Sequence, residues 1–145
     1  MSFGSVAARA ELDAVGVERF TARDYRPGLV THVVLFRFAA DATSDDIAEV
    51  GRRFHALAAT TRADGEPYIL SVVSGEQQSS EDAGHGFQWA FAVGFASFGD
   101  RNYYIGRPVV EAPGFYDEEH DGFKSWVGPF LAPGDDGVLV FDFQS

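Results

Sequence analysis

The stretch VTHVVLFRF, Val30 to Phe38, is a strand by residue type: β-branched and aromatic side chains fill it, and the ionisable residues are His32 and Arg37. On a period of two, His32, Val34, Phe36 and Phe38 share one face, while Thr31, Val33, Leu35 and Arg37 share the other. Both faces are largely apolar, which predicts a strand buried on both sides. An imidazole that points the same way as two phenylalanines needs either a hydrogen-bond partner or a cavity.

Beyond this strand the period changes. Thr43 and Asp46 fit a capping box, and Ile47, Val50, Phe54 and Leu57 recur at spacings of three and four, predicting an amphipathic helix from Ser44 to Ala59 with a Glu49–Arg53 pair on its wet side. His55 lies beside the apolar stripe and reads as surface. A second strand is predicted at Tyr68 to Ser74, and Gly75 to Gly86 reads as a polar loop with a solvated His85. In FQWAFAVGFAS, Phe87 to Ser97, large aromatic positions alternate with Ala and Gly, so one face of this strand is bulky and the other small. A short helix follows to Gly106, then an irregular Arg107 to Tyr116. Asp117 to Leu131 has acids in its first turn and His120, Phe123, Val127 and Phe130 along one face, which predicts a helical run, with two shorter turns as the alternative because of Gly122, Gly128 and Pro129. Val138 to Phe143 is the last strand.

Strand, helix, strand, strand, helical region, strand is the order of a split βαβ unit, an α+β ferredoxin-like βαββαβ sandwich with helices on one sheet face. An aromatic-rich sheet face left in water would be a large apolar patch, so a homodimer about a two-fold axis is expected. Residues 1–28 read as an arm anchored by Phe20 and Tyr25, and 29–145 as the domain.

Composition narrows the function classes. Fourteen Phe, five Tyr and two Trp in 145 residues supply the core of one domain. Eleven basic against twenty-two acidic residues give a formal charge of −11, which repels phosphate backbones and anionic lipid, so neither nucleic acid nor a membrane is expected as a partner. With no cysteine there is no thiolate chemistry, and with no long apolar run or secretory start the expected location is the cytoplasm. Glu118 to Asp121 are four ligand types in a row, but consecutive helical residues diverge, so no metal site is predicted; no phosphate-cradling glycine pattern is present, so no cofactor is predicted.

Three pieces together, THVVLFRF at Thr31 to Phe38, FQWAFAVGFASFGDRNYYIGRP at Phe87 to Pro108, and HDGFKSW with GVLVFDF near the end, resemble the stress-responsive A/B barrel domain (Dabb) family. The resemblance implies a dimeric α/β barrel with a cavity in each subunit. It also implies chemistry similar to that of a plant polyketide cyclase in this family, which uses a histidine and a tyrosine. Tyr104 matches that tyrosine and Pro108 a proline of the same motif, but Arg107 and Val110 stand where two histidines would be. His120 follows after an insertion, Val110 to Glu119, and His32 matches the family's first-strand histidine.

The expected function is therefore binding of a small hydrophobic or aromatic metabolite, with cofactor-independent acid/base chemistry of cyclase or lyase type. His32, Tyr104 and His120 are the candidate catalytic residues, because imidazole titrates near neutrality and a phenol can hold a developing oxyanion. Val34, Phe36, Trp89 and Phe91 are the candidate binding residues. The alternative is a non-catalytic stress-related or assembly protein whose cavity is filled by its own side chains.

Overall fold

Antiparallel pairing organises the domain in the computed structural model, which describes residues 3–145. Four strands, β1 (Pro27–Phe36), β2 (Ile69–Glu76), β3 (Trp89–Ser97) and β4 (Val138–Gln144), form one sheet in the order β2-β3-β1-β4. The first strand lies between β3 and β4, antiparallel to both, so β2 and β4 take the edges. This interleaved order is the ferredoxin-like topology expected from the sequence.

Three helices of the domain pack on one sheet face. The first, α3 (Ser44–Ala56), starts at the predicted capping box, in which the Thr43 side chain accepts from the Asp46 amide while Asp46 accepts from the Thr43 amide, and Glu49 binds both Arg52 and Arg53. Its buried Val50 and Phe54 meet the sheet, where the Phe54 and Phe91 rings stack 4.0 Å apart. The second, α4 (Phe98–Ile105), is capped by Ser97 and ends at Gly106, and the third, α5 (Glu118–Val127), is capped by Asp117. The apolar stripe that predicted one helix to Leu131 instead breaks into α5 and a 3₁₀ turn at Gly128–Phe130, where the proline enters.

The two sheet faces correct the sequence reading in one respect. Phe91, Val93 and Phe95, the bulky face of β3, lie beneath the helices and are buried. The open face shows the small side of β3, and its bulk comes from Leu70, Val73, Leu139, Phe141 and Phe143 on the edge strands. Phe141 alone is 63% exposed. β1 is thus buried on one face and half-buried on the other, because no layer of the same chain covers Thr31, Val33 and Leu35. No helix among the described residues is long and apolar enough to cross a membrane.

The N-terminal segment folds as α1 (Ser5–Val15) and α2 (Val17–Phe20) and packs at the helical side of the domain, away from the open sheet face. Phe20 and Tyr25 are buried against Val110, with Leu12, Val17, Phe115 and Tyr116 around them. The segment 110–119 therefore makes a second small core with the arm. The arm's backbone touches α4 directly: the Phe98 and Gly99 amides donate to the carbonyls of Arg26 and Tyr25, and a Cβ placed on Gly99 would stand 1.7 Å from the Ala22 carbonyl oxygen. Gly99→Ala is therefore expected to cost 1–3 kcal/mol or more, roughly the overpacking range. In α3, Gly51 has nothing within 4 Å of such an atom, so Gly51→Ala should stabilise by about 0.5–1 kcal/mol. Urea melts of the two variants check both signs.

Candidate active site

Strand register makes the first contact of the site. His32 lies opposite Asp142 across the β1–β4 pair, on the helix-covered face, and its Nδ1 donates to Asp142 Oδ1 at 2.6 Å. A carboxylate has no proton to give, so Nδ1 carries the hydrogen and Nε2 takes no part in this bond. The other carboxylate oxygen accepts from Arg101 Nη1 at 2.8 Å. Burial works to raise the Asp142 carboxyl, but the hydrogen bonds and charges of His32 and Arg101 outweigh it and hold it below the ordinary carboxylate range. An ionised aspartate beside a half-used imidazole is the arrangement that fixes a general base in one tautomer and supports the imidazolium once formed.

Tyr104 comes from the last turn of α4, about two turns beyond the Ser97 cap, and is 1% exposed. Its ring meets His32 edge-on at 5.6 Å and Phe95 at 5.1 Å. Its hydroxyl is buried and finds no hydrogen-bond partner among the described residues. Burial, reinforced by the negative fields of Asp117 and Asp142, pushes the phenol well above its usual range, so it is a donor and not a phenolate.

His120 stacks on the other side of Tyr104, ring centroids 3.7 Å apart. Its Nδ1 donates to the Tyr104 backbone carbonyl at 2.6 Å. Burial drives its pKa down to about 3, with Lys124 and His32 pushing the same way against the carbonyl bond. A neutral, committed imidazole positions the Tyr104 ring and carbonyl and does not supply a proton near pH 7. Asp117 fixes it from the helix start: Oδ1 accepts the His120 amide at 3.0 Å, and the other oxygen accepts the buried Tyr68 hydroxyl.

The three catalytic candidates are thus brought together, each less than a tenth exposed. Val34, Phe36 and Phe91 are buried in the main core with Phe54, where Phe36 and Phe91 lie 5.5 Å apart. Trp89 borders a cavity of about 170 Å³ with Leu35, Gly75 and Phe87, next to a second of about 390 Å³ under the 76–88 loop. Both lie away from His32, Tyr104 and His120. No three His, Asp or Glu side chains among the described residues gather as a metal-binding group. Asp142, Arg101 and Asp117 were missed as site residues in the sequence; the available signal was a lone acid in the apolar run VLVFDF, opposite the lone histidine of the first strand. His55 is exposed and bonds Ser74, and His85 lies exposed in the loop, as read.

Protonation links this site to stability. The unfolded chain protonates His120 near its ordinary value of about 6.5, whereas the folded chain resists until about pH 3. Acid therefore favours unfolding across that window, and below about pH 4 the loss of the depressed Asp142 carboxylate adds to it. His120→Asn should remove about one proton from the uptake on unfolding between pH 6 and 4, read as a shallower fall of urea-melt stability with acid.

Comparison with known proteins agrees with this architecture. A hydroxynitrile lyase from Passiflora edulis superposes with a TM-score of 0.61 at 17% identity, covering 82% of this chain and 94% of that one. A protein from Arabidopsis thaliana gives 0.61 at 22%, covering 80% and 94%, and a dimeric ferredoxin-like protein of unknown function from Jannaschia sp. CCS1 gives 0.61 at 19%, covering 81% and 100%. At such identities the likeness is one of fold. No curated protein matches the chain. The sequence pattern of the stress responsive A/B barrel domain spans residues 30–145, from within the His32 strand through the last strand, and the chain belongs to that family.

Proposed function

We propose that this protein is a homodimer joined through its open sheet face, and that each protomer binds a small hydrophobic or aromatic carbonyl compound and moves protons on it without a cofactor. His32 Nε2 is the base, oriented by Asp142. The Tyr104 hydroxyl donates to the substrate oxygen as charge develops there, and His120 holds the tyrosine in place. The observation that carries the reading is the Tyr104 hydroxyl, buried without a partner beside an aspartate-held imidazole. An unpaired buried hydroxyl costs roughly 1–3 kcal/mol that a phenylalanine would avoid, and an incoming oxygen acceptor would satisfy it. The site is closed in this conformation, so a ligand enters by displacing a packed side chain.

A concrete reaction in this class is suggested by the name of the Passiflora edulis neighbour, whose substrates are hydroxynitriles. His32 would take the hydroxyl proton, the carbon–carbon bond to the nitrile would break, cyanide would leave with the electron pair, and the carbonyl formed would stay hydrogen-bonded to Tyr104. The competing reading, a non-catalytic assembly protein, draws on the burial of all three side chains.

Tyr104→Phe separates the two. It should raise folding stability by about 1 kcal/mol while lowering carbonyl release from aromatic hydroxynitriles about 10²–10³-fold, followed by ultraviolet absorbance. Asp142→Asn should lower it by a comparable factor. Wild-type protein that neither turns over nor binds hydroxynitriles or aromatic ketones at millimolar concentration would remove the acid/base reading.

For the dimer, support comes from the exposed Phe141, Val73 and Leu70 and from neighbours described as dimeric. Light scattering should report about twice the 15.8 kDa chain mass, and Phe141→Glu should return it to one.

A further inference from the structure

The arm lies outside the family match, which begins at residue 30, yet its backbone is the far end of an unbroken hydrogen-bond chain to His32. The Phe20 carbonyl accepts from Asn102 Nδ2 at 2.9 Å. Asn102 Oδ1 accepts from Arg101 Nε and Nη2 at 3.1 and 3.0 Å. Arg101 Nη1 donates to Asp142 Oδ2 at 2.8 Å, and Asp142 Oδ1 accepts from His32 Nδ1 at 2.6 Å. Every member has a defined role: the amide of Asn102 is oriented by a donor on one side and an acceptor on the other, and the guanidinium fork is used on both edges.

A second contact of the arm bears on the same arginine. Two guanidinium groups approach the Phe98 ring, Arg26 at 4.2 Å and Arg101 at 5.0 Å from its centroid. Arg26 is itself tied to Glu11 of α1 at 3.0 Å, and Glu11 also accepts the Tyr25 hydroxyl. The arm therefore restrains Arg101 through Asn102 and also through Phe98.

We propose that the N-terminal arm is a working part of the site, and that Asn102, Arg101 and Arg26 are positioning residues that hold the Asp142 carboxylate on His32. A carboxylate partner that can swing away no longer fixes the imidazole tautomer, and partners one shell out set how tightly such a group is held. The inference rests on His32 being the base, but what it asserts is mechanical coupling between arm and imidazole. Loosening the arm should free the His32–Asp142 bond without touching either residue.

The test is the exchange of the His32 Nδ1 proton with water, followed by nitrogen-edited NMR on the full chain without any substrate. Wild type should show a protected, slowly exchanging proton. Asn102→Ala should speed its exchange by about tenfold or more, the result of opening a local hydrogen-bonded unit. Arg26→Ala, at an exposed position that does not threaten folding, should speed it about threefold. Leu57→Ala, which empties the main core and carries no atom of the chain, should lower global stability and leave the exchange within about twofold of wild type. An unprotected proton in wild type, rates unchanged in both relay variants, or an equal acceleration by Leu57→Ala would each overturn the proposal. Failure of the acid/base reading would show separately, as no turnover by a wild-type protein whose Nδ1 proton is protected.

Discussion

The register of β1 against β4 is the constraint on which the rest of the site depends. Period-two alternation turns every second residue of β1 toward the helices, and antiparallel pairing sets His32 opposite Asp142 on that same side. A slip of one residue in β4 would turn Asp142 to the open face, where Phe141 now stands opposite Val33, and part it from His32. The His32–Asp142 contact is held by the same ladder that builds the sheet, so fold and chemistry share one set of hydrogen bonds.

Around that pair the protein assembles a stack of rings. His120 lies flat on Tyr104, Tyr104 meets His32 edge-on, and Asp117 ties the start of α5 to Tyr68 next to β2. Burial keeps the phenol protonated and the His120 imidazole neutral, whereas Asp142 is held ionised against burial by the hydrogen bonds of Arg101 and His32. The segment 110–119 packs with the arm, and Val110 fills that second core.

The two faces of the sheet divide the work. The helix-covered face carries the aromatics and the polar cluster; the open face carries apolar bulk on its edge strands over the small centre of β3. An exposed apolar sheet face of this kind suits a second copy, in keeping with the solved neighbours of this fold that are described as dimeric.

Much of the fold was legible in the residues themselves. Alternation marked the strands, the Thr43–Asp46 box marked the start of α3 to the residue, and the order of elements implied the split βαβ unit, because these signals are local. Tyr104 and the two histidines were legible as candidates by residue type and by family motif. Which face of β3 is open, that Asp142 and Arg101 complete the His32 site, and that His120 is spent on a backbone carbonyl were decided only by tertiary structure. Each of those depends on a partner 16 to 110 residues away, and burial, which fixes protonation, is a property of the packed molecule and not of any segment.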